Sequence, residues 1–259
     1  MATALITGAS SGLGEQFALQ LAREKLDLVL VARRDDRLKA VADEATRLGA
    51  SKVSVIASDL TGYDSAKALY TKVEGQGIQV DYLVNNAGFG TRGRFDRLPI
   101  EREIAEIELN VTALVALTRL FLPAMVARRA GTIVNVASTA GFVPVPFMAT
   151  YGATKAFVLT FSEALAEELN GTGVTVMALC PGATRTEFQE VANVDRSSIP
   201  SFLFMGAETV VAQAIAAAKR GRSLCITGAI NLLMAESVRI APRKLAAKIS
   251  ASMFRDKSA

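Results

Sequence analysis

The sequence contains no histidine and no tryptophan, and only two of its 259 residues are cysteine. Without histidine, the side chain that most often acts as a general base near neutral pH is missing, and so is the commonest metal ligand. Cys180 and Cys225 lie far apart and outside any close-spaced set of potential ligands. We therefore predict no metal site, no disulfide framework and reduced thiols, as in a cytoplasmic protein. Any proton transfer must use a different side chain.

Long uninterrupted apolar runs and a signal leader are also missing. The two longest apolar candidates, residues 111–126 and 224–235, are interrupted by charged, proline, glycine or asparagine residues. Both are shorter than the roughly 20 apolar residues that a membrane-spanning helix needs. The N-terminus begins directly with a strand-like run at Thr3 and has no charged leader, so neither secretion nor an integral membrane segment is expected.

Charge is concentrated at one end of the chain. The net charge is +4, and residues 236–259 hold six basic and two acidic residues, which also gives +4. The body, residues 1–235, is therefore neutral and has no zinc-finger or RRM signature, so nucleic-acid binding is not expected. In the tail, Leu245, Ile249 and Met253 recur every four residues with basic residues between them. This pattern predicts an amphipathic helix that packs on the body or on a partner subunit, or that contacts an anionic membrane weakly.

Short β-branched runs alternate with longer amphipathic segments along the body. With 51% apolar and 21% charged residues, the chain can form one large folded domain. Most of the β-branched runs are apolar throughout, as in strands that are buried on both faces of a parallel sheet. The alternation predicts an α/β fold with a doubly wound, Rossmann-type parallel sheet and a ligand site at the strand ends. The predicted strands are residues 4–7, 28–32, 53–57, 82–84, 132–136, 174–179 and 224–227.

A glycine-rich turn follows the first predicted strand. The stretch from Thr7 to Gly14 reads TGASSGLG and leads into an amphipathic helix. Glycine at positions 8, 12 and 14 allows a tight turn and the close approach of a diphosphate to the N-terminus of that helix. The spacing departs from GxGxxG, so the turn alone also fits an ordinary glycine-rich connection.

Two arginines follow the second predicted strand. An NAD-binding unit usually has an acidic residue at the end of this strand, where it binds the adenosine ribose. Here Ala32 stands at that position and Arg33 and Arg34 come directly after it. Two guanidinium groups favour a 2′-phosphate and therefore NADP(H), and the alternative is that both arginines lie in a solvated loop.

Three further stretches complete a pattern. They are NNAG at residues 85–88, TYGATK at 150–155 and PG at 181–182. With these motifs in this order, the chain resembles the classical short-chain dehydrogenase/reductases, whose pattern is TGxxxGxG, NNAG, Ser with YxxxK, and PG followed by Thr. The resemblance extends from residue 3 to about residue 227. It implies an oxidoreductase that transfers a hydride between NADP(H) and a carbonyl or alcohol substrate.

The resemblance implies that Asn110, Ser138, Tyr151 and Lys155 are the catalytic residues. Tyr151 and Lys155 are four residues apart and share one face of a helix. A cation about 4 Å from a phenol supplies roughly the 4 kcal/mol that lowers its pKa from about 10 to about 7. We therefore expect Lys155 to tune Tyr151 as the acid in reduction and the base in oxidation. Ser138 is expected to hydrogen-bond the substrate oxygen, Lys155 also to hold the nicotinamide ribose, and Asn110 to support a water-linked proton relay.

The resemblance also implies a set of cofactor-binding residues. Asp59 is expected to contact the adenine amino group, and a helix N-cap before Thr61 is the alternative. After the PG motif, Thr184 stands where the family usually has valine, so we favour Thr186 for the contact with the nicotinamide carboxamide. The full predicted set is Gly8, Ser10, Ser11, Gly12, Leu13, Gly14, Arg33, Arg34, Asp59, Leu60, Asn86, Ala87, Gly88, Tyr151, Lys155, Pro181, Gly182, Thr184 and Thr186.

The predicted substrate region is apolar. Residues 142–148 and a segment at about 187–205 are rich in Phe, Val, Met and Leu, which predicts an apolar pocket under a mobile lid. The alternative is that several of these residues are core or an oligomer contact. The region has no basic cluster for a substrate carboxylate or phosphate, so acyl chains, steroids, aromatic ketones and small aldehydes all remain open.

The sequence favours a cytoplasmic reductase that forms a homo-oligomer, either a dimer or a tetramer, and two other functions are alternatives. A non-catalytic NADP-binding regulator or scaffold could use the same fold, because fold does not determine function. The intact Ser138, Tyr151 and Lys155 argue against that alternative. An epimerase or dehydratase of the extended branch of the family is disfavoured by the short C-terminal part and by the NNAG form of the motif.

Overall fold

The computed structural model describes residues 1–194, 200–238 and 242–254. Its centre is a seven-stranded sheet in which every neighbouring pair is parallel, and the strand order is β3-β2-β1-β4-β5-β6-β9. The order reverses between β1 and β4, which opens a crevice at the carboxyl ends of these strands. The strands are β1 (Thr3–Thr7), β2 (Asp27–Ala32), β3 (Val53–Ala57), β4 (Tyr82–Asn85), β5 (Gly131–Val136), β6 (Val174–Cys180) and β9 (Leu224–Ile226).

Helices cover both faces of the sheet. One apolar cluster packs α1 and α8 on one face, and a second packs α3 and α5 on the other. The strands are apolar throughout because both of their faces are buried. The helices are α1 (Gly12–Arg23), α2 (Asp35–Leu48), α3 (Tyr63–Gly75), α4 (Ile100–Ile107), α5 (Leu114–Arg128), α6 (Ala149–Glu168), α7 (Phe188–Val191), α8 (Ala207–Lys219), α9 (Ala229–Val238) and α10 (Arg243–Phe254).

The predicted doubly wound Rossmann-type fold is confirmed, and all seven predicted strands are present. The sequence did not indicate a second, two-stranded sheet formed by β7 (Thr184–Arg185) and β8 (Met205–Gly206), which pair in parallel. Strands of two residues are too short to show a period of apolar residues. This small sheet ties the segment after the PG motif to the start of α8.

Helices α4 and α5 are continuous through a π-helical segment, Glu108–Ala113. The resulting helix, Ile100–Arg128, is longer than the apolar run seen in the sequence and is long and apolar enough to cross a membrane. Its apolar residues Leu117, Phe121 and Met125 are nevertheless buried against the sheet and α3, as in the core helix of a globular domain.

The predicted amphipathic tail helix is present as α10, but its apolar stripe does not pack on the body. Leu245 and Ile249 are 51% and 54% exposed, whereas Ala246 and Ser250 are buried. Packing of the stripe on the body of the same chain is therefore wrong, and contact with a partner subunit or a membrane stays a prediction. The side chain of Met253, the third member of the stripe, lies outside the described part of the chain.

Candidate active site

The glycine-rich turn packs directly on the loop that follows β4. Gly8 has a φ of +66°, and a Cβ on Gly14 would lie 2.2 Å from the Gly8 carbonyl oxygen. Asn86 donates from Nδ2 to the carbonyl oxygens of Thr7 at 2.9 Å and Gly8 at 3.3 Å. The backbone N–H groups of Asn86 and Ala87 both donate to Thr7 Oγ1 at 2.9 Å. The polar groups of Asn86 and Ala87 thus fix the shape of the turn.

The turn leaves the N-terminus of α1 open. Ser11 is the N-cap residue, but its side chain makes no hydrogen bond to the helix, so the first N–H groups have no capping partner. A cleft of about 550 Å³ lies beside them, and a Cβ on Gly12 would come within 3.0 Å of Thr186 Cγ2. Unpaired N–H groups at a helix N-terminus bind phosphate. The turn therefore has the free N–H groups and the adjoining space that a diphosphate needs, and binding by Gly8, Ser10, Ser11, Gly12, Leu13 and Gly14 stays a prediction.

Arg34 contacts three residues that line the same cleft. It donates to Ser10 Oγ at 3.1 Å and to Ser11 Oγ at 2.8 Å, and it pairs with Glu187 at 2.8 Å. Arg37 on α2 also pairs with Glu187, and both arginines together lower the pKa of Glu187 to about 2, Arg37 more than Arg34. Two guanidinium groups and one carboxylate thus meet where the first turn of α1 and the segment after β7 come together.

Arg33 differs from Arg34. Its side chain is 77% exposed, and its nearest acid is Asp59 at 3.9 Å. Sequence reasoning named Arg33 and Arg34 together and missed Arg37 and Glu187. The three-residue spacing of Arg34 and Arg37 was a readable signal, because Arg34 is the N-cap residue of α2 and Arg37 lies in its first turn. Glu187 lies 153 residues from Arg34, so nothing local in the sequence connects them.

The region of the predicted adenine contact shows a different arrangement from the one expected. Asp59 Oδ1 accepts hydrogen bonds from the backbone N of Thr61 at 3.0 Å and from its hydroxyl at 2.7 Å, which lowers the pKa of Asp59. The N-cap of α3 is Gly62, so the alternative role of Asp59 as the helix N-cap is wrong. The side chain of Leu60 is buried in the core.

The two threonines after the PG motif point in different directions. Thr184 is buried, and its hydroxyl donates to the Gly182 carbonyl oxygen at 3.0 Å. Thr186 lines the cleft beside Gly12, and its Oγ1 accepts from the backbone N of Phe188 at 3.2 Å. The side chain that faces the predicted cofactor cleft is therefore that of Thr186. Pro181 contributes its carbonyl oxygen, which accepts from the backbone N of Thr139 at 2.9 Å.

Tyr151, Lys155 and Ser138 come together at the carboxyl end of β5. Tyr151 and Lys155 lie one turn apart on the buried face of α6. Lys155 Nζ is 5.8 Å from the centroid of the Tyr151 ring and donates to the Val136 carbonyl oxygen at 2.8 Å. The Ser138 hydroxyl hydrogen-bonds the Tyr151 phenol. The structure therefore assembles the three side chains that the sequence placed in one site.

The pKa of Tyr151 differs from the value that the sequence predicts, and that of Lys155 is shifted as well. Burial raises the pKa of Tyr151 to about 12, against a smaller opposite effect of the Ser138 hydrogen bond. Burial also lowers the pKa of Lys155 to about 8. The expected lowering of the Tyr151 pKa towards 7 is thus wrong for the chain by itself. The phenol stays protonated because burial disfavours its charged form. Lys155 does not offset this effect, because its Nζ donates to the Val136 carbonyl oxygen and lies over the phenol ring.

Asn110 lies in the π-helical segment and is buried. Its Nδ2 donates to the Phe89 carbonyl oxygen at 2.9 Å and to Thr154 Oγ1 at 3.1 Å, and its Oδ1 accepts from Phe89 N at 3.1 Å. A Cβ on Gly88 would lie 2.8 Å from Asn110 Oδ1 and 3.6 Å from Lys155 Nζ. A side chain at position 88 would therefore collide with the Asn110 amide oxygen, which explains the last residue of NNAG.

Apolar side chains surround Tyr151. The ring of Phe188 lies 5.1 Å from that of Tyr151, centroid to centroid, and Val145 and Met148 are buried in the same cluster. Phe202, which the sequence placed in the pocket, is 71% exposed. Residues 195–199 of the predicted lid, including Ile199, lie outside the described part of the chain. The structure therefore places the phenol hydroxyl of Tyr151 at the edge of an apolar environment.

Comparisons with known proteins bear on the family of the chain. A family model described as short chain dehydrogenase matches residues 2–197. A protein named as an uncharacterized oxidoreductase of Myxococcus xanthus (strain DK1622) is 40% identical over 191 residues, which is 74% of this chain and 75% of that protein. Among the curated relatives, the matched region spans between 50% and 76% of the relative's length.

Two solved structures are similar over most of both chains. A short-chain dehydrogenase from Sphingobium yanoikuyae in complex with NADPH has 36% identity and a TM-score of 0.83, covering 92% of this chain and 94% of that one. A 3-ketoacyl-(acyl-carrier-protein) reductase from Brucella melitensis complexed with NADH has 28% identity and a TM-score of 0.76, covering 87% and 95%. Both forms of the nicotinamide cofactor thus occur among similar proteins.

Proposed function

This chain belongs to the short-chain dehydrogenase family, and we propose that it transfers a hydride between NADP(H) and an apolar carbonyl or alcohol substrate. It is an oxidoreductase that uses a nicotinamide cofactor. The observation that carries the proposal is the meeting of Tyr151, Ser138 and Lys155 beside an apolar cluster and near an uncapped helix N-terminus. Ser138 follows β5 and α1 follows β1, so both groups lie at the carboxyl ends of strands of one sheet, and we propose that they serve one bound cofactor.

The preference for NADP(H) rests on Arg34 and Arg37. Arg37 lines the cleft beside the N-terminus of α1, and Arg34 hydrogen-bonds Ser10 and Ser11, which also line it. An adenosine 2′-phosphate bound there would add charge-assisted hydrogen bonds. No acidic residue stands at the end of β2 to bind a free ribose 2′-hydroxyl. Glu187 occupies both arginines in this structure, and we propose that the phosphate competes with it.

Residues of this chain would supply the proton for the substrate oxygen. A bound nicotinamide supplies or accepts the hydride. Tyr151 holds its proton at neutral pH because burial raises its pKa, so it can donate to the substrate oxygen during reduction. Ser138, which already hydrogen-bonds the phenol, can hydrogen-bond the same oxygen as negative charge develops. The surrounding apolar side chains keep water away from that oxygen.

Alcohol oxidation is expected to rise with pH, because that direction needs the phenolate of Tyr151. The pKa of Tyr151 is raised to about 12, so the phenolate fraction grows by about tenfold per pH unit across the range below that value. We expect kcat/KM for oxidation to rise steadily from pH 7 to pH 10. The measurement is the initial rate of NADP⁺ reduction by an apolar secondary alcohol at a series of pH values, with both substrates well below saturation so that the rate reports the free enzyme. A plateau reached by pH 7.5 would contradict the raised pKa.

The direct test of the function is NADPH oxidation by the purified protein with a panel of aldehydes, ketones and 3-oxoacyl thioesters. Turnover of apolar carbonyls, with little turnover of charged ones, is the expected result, since the cluster around Tyr151 is apolar. Tight NADPH binding without turnover of any member would instead support a non-catalytic regulator or scaffold. The 3-oxoacyl thioesters are included because a similar protein is named for such substrates.

We also propose that the protein is a cytoplasmic homo-oligomer. Three isoleucines of α4, namely Ile100, Ile104 and Ile107, are exposed along one side of the helix, and the stripe of α10 is exposed as well. Apolar faces of this size commonly mark contacts between subunits. Cys180 and Cys225 are free and buried, which suits a reducing compartment.

Deletion of residues 243–259 is expected to reduce the size of the oligomer and to lower the melting temperature, because α10 buries Ala246 and Ser250 and presents Leu245 and Ile249 for contact. Light scattering and thermal unfolding measure both effects. In a separate assay, the intact protein is expected to stay in the supernatant with anionic vesicles at physiological salt. Strong pelleting of the intact protein, together with an unchanged melting temperature and oligomer size on deletion, would favour a membrane anchor.

A further inference from the structure

Helix α4 has the reverse of the usual burial pattern of a surface helix, because its acidic side chains are buried and its apolar side chains are exposed. Its isoleucines Ile100, Ile104 and Ile107 are exposed, whereas Glu103 and Glu106 are 4% and 0% exposed. A buried carboxylate is costly unless it is hydrogen-bonded or neutralised. This helix therefore buries two acidic side chains that need hydrogen-bond partners. Because Asn110 follows on the same helix, those partners lie close to the candidate active site.

The two carboxyl groups meet at a single hydroxyl. The Thr91 hydroxyl, itself 3% exposed, contacts Glu103 Oε1 and lies 2.8 Å from Glu106 Oε2. Glu103 Oε2 also receives a hydrogen bond from the Thr150 hydroxyl. Glu106 Oε1 is buried and has no hydrogen-bond partner among the described residues. The cluster thus contains two carboxyl groups and two threonine hydroxyls.

Hydrogen counting limits the charge of this cluster. A hydroxyl has one proton, so Thr91 can donate fully to one carboxyl oxygen only. The second oxygen–oxygen contact is therefore a hydrogen bond only if that carboxyl group carries a proton, which it donates to Thr91 Oγ1. Glu103 accepts from two hydroxyls and suits the ionised form, and Glu106 suits the protonated form. Burial raises the pKa of Glu106 to about 7 and the charge of Glu103 adds to that effect, against smaller opposite effects of the Thr91 hydroxyl, the Thr91 backbone N–H and Lys155.

The cluster is connected to the catalytic helix. Thr150, which donates to Glu103, directly precedes Tyr151 on α6. The titratable groups that face Glu106 are Glu103 on its own helix and Lys155 and Tyr151 on α6. A charge on Glu106 raises the pKa of both Tyr151 and Lys155. The ionisation state of Glu106 therefore affects the pKa values of both Tyr151 and Lys155.

We propose that Glu103 and Glu106 share one proton through Thr91, and that this acid pair positions the start of α6 and sets the charge that faces Tyr151 and Lys155. The first part stands on the geometry of the cluster, and the second part rests on the proposed function. Glu103 and Glu106 are positioning residues in this scheme, since they act on the substrate only through α6. With Glu106 protonated the pair carries a single negative charge.

Infrared spectroscopy tests the shared proton without requiring turnover. At pH 6 we expect a C=O stretching band of a protonated carboxylic acid in the wild type, and its absence in Glu106→Gln. Glu101→Gln, which removes an exposed carboxylate of the same helix, should keep the band. Thr91→Val should shift its frequency, because it removes the shared hydroxyl. No such band in the wild type, or an unshifted band in Thr91→Val, would overturn the shared proton.

The dependence of stability on pH gives a second readout. The pKa of Glu106 is higher in the folded chain than its ordinary value of 4.5, so the folded state binds the proton more tightly and loses stability as the pH rises through about 7. Between pH 4 and pH 8, the folding equilibrium constant of the wild type should fall relative to that of Glu106→Gln by on the order of a hundredfold. Parallel pH dependences for the two proteins would contradict a proton held on Glu106.

The catalytic part of the proposal has its own readout. Because Glu106→Gln removes a negative charge near Tyr151, the phenolate forms at lower pH, and kcat/KM for alcohol oxidation at pH 8 should rise about threefold. Glu101→Gln should leave this value unchanged. An unchanged value in Glu106→Gln would remove the acid pair from control of Tyr151. If the protein turns over no carbonyl or alcohol, the proposed function fails, whereas the infrared band still decides whether the proton is shared.

Discussion

Replacement of Tyr151 by phenylalanine is expected to lower the turnover of carbonyl substrates by roughly a hundred- to ten-thousandfold, the range typical of a lost general acid. The phenol hydroxyl is the only group that the variant loses, since the ring that packs on Phe188 remains. NADPH should therefore bind within a few-fold of the wild-type affinity. Steady-state NADPH oxidation measures the first quantity, and NADPH fluorescence titration measures the second.

Tyr63→Phe is the matched control, because it removes a phenol hydroxyl from a side chain that is half exposed at the start of α3. Its turnover should equal that of the wild type. Ser138→Ala should also lower turnover, by less than Tyr151→Phe, since it removes a hydrogen-bond donor and leaves the proton source in place. If Tyr151→Phe retains turnover within a few-fold of the wild type, the proton comes from another group.

The second large effect concerns the cofactor. NADPH should bind at least about tenfold more tightly than NADH, a ratio that corresponds to only about 1.4 kcal/mol. Arg34→Ala should abolish most of this preference, because Arg34 contacts both serines of the glycine-rich turn. Arg37→Ala should reduce it as well, and Arg33→Ala should change it little, since Arg33 is largely exposed. Titration of each variant with both cofactors measures the ratio.

Glu187→Gln should change the affinity in the opposite direction. In the structure Glu187 pairs with Arg34 and Arg37, so its neutral replacement frees both arginines for a phosphate and should strengthen NADPH binding. The affinity for NADH should stay nearly constant. Arg94→Ala, which removes a surface arginine paired with Asp96, is the control for general charge effects. Equal wild-type affinities for the two cofactors would refute the role of the arginines.

The strands and the glycine-rich turn were predictable because their signals are local. Both faces of the sheet are covered, so each strand is apolar throughout, and Gly8 and Gly14 stand where a side chain would collide with the backbone or with Asn86. The spacing of Tyr151 and Lys155 likewise follows from a single helix. The position of Lys155 Nζ could not be predicted in this way, because Nζ donates to the Val136 carbonyl oxygen at the end of β5.

The acidic face of α4 is the part of the site that sequence reasoning missed. Alternating isoleucines and glutamates normally indicate a helix with its isoleucines buried and its glutamates in water. Here the reverse is found, because Thr91 and Thr150 supply hydrogen bonds to Glu103 from a loop and from α6. Both partners are distant in the sequence. The spacing of Glu103, Glu106 and Asn110 on one helical face was the one readable signal.

The π-helical segment between α4 and α5 has a consequence for how such a site arises. A π-helical turn is equivalent to one residue inserted into an α-helix, and each residue turns the helix by about 100°. The helix buries Leu117 and Phe121 in its later turns and glutamates instead of isoleucines in its earlier turns. Because the wide turn accommodates the extra residue locally, loss of one residue from Glu108–Ala113 would restore α-helical hydrogen bonding there and leave the faces on both sides of it in place. The inward acidic face therefore depends on which residues precede the segment, and a change of chain length inside the segment is one that the fold can tolerate.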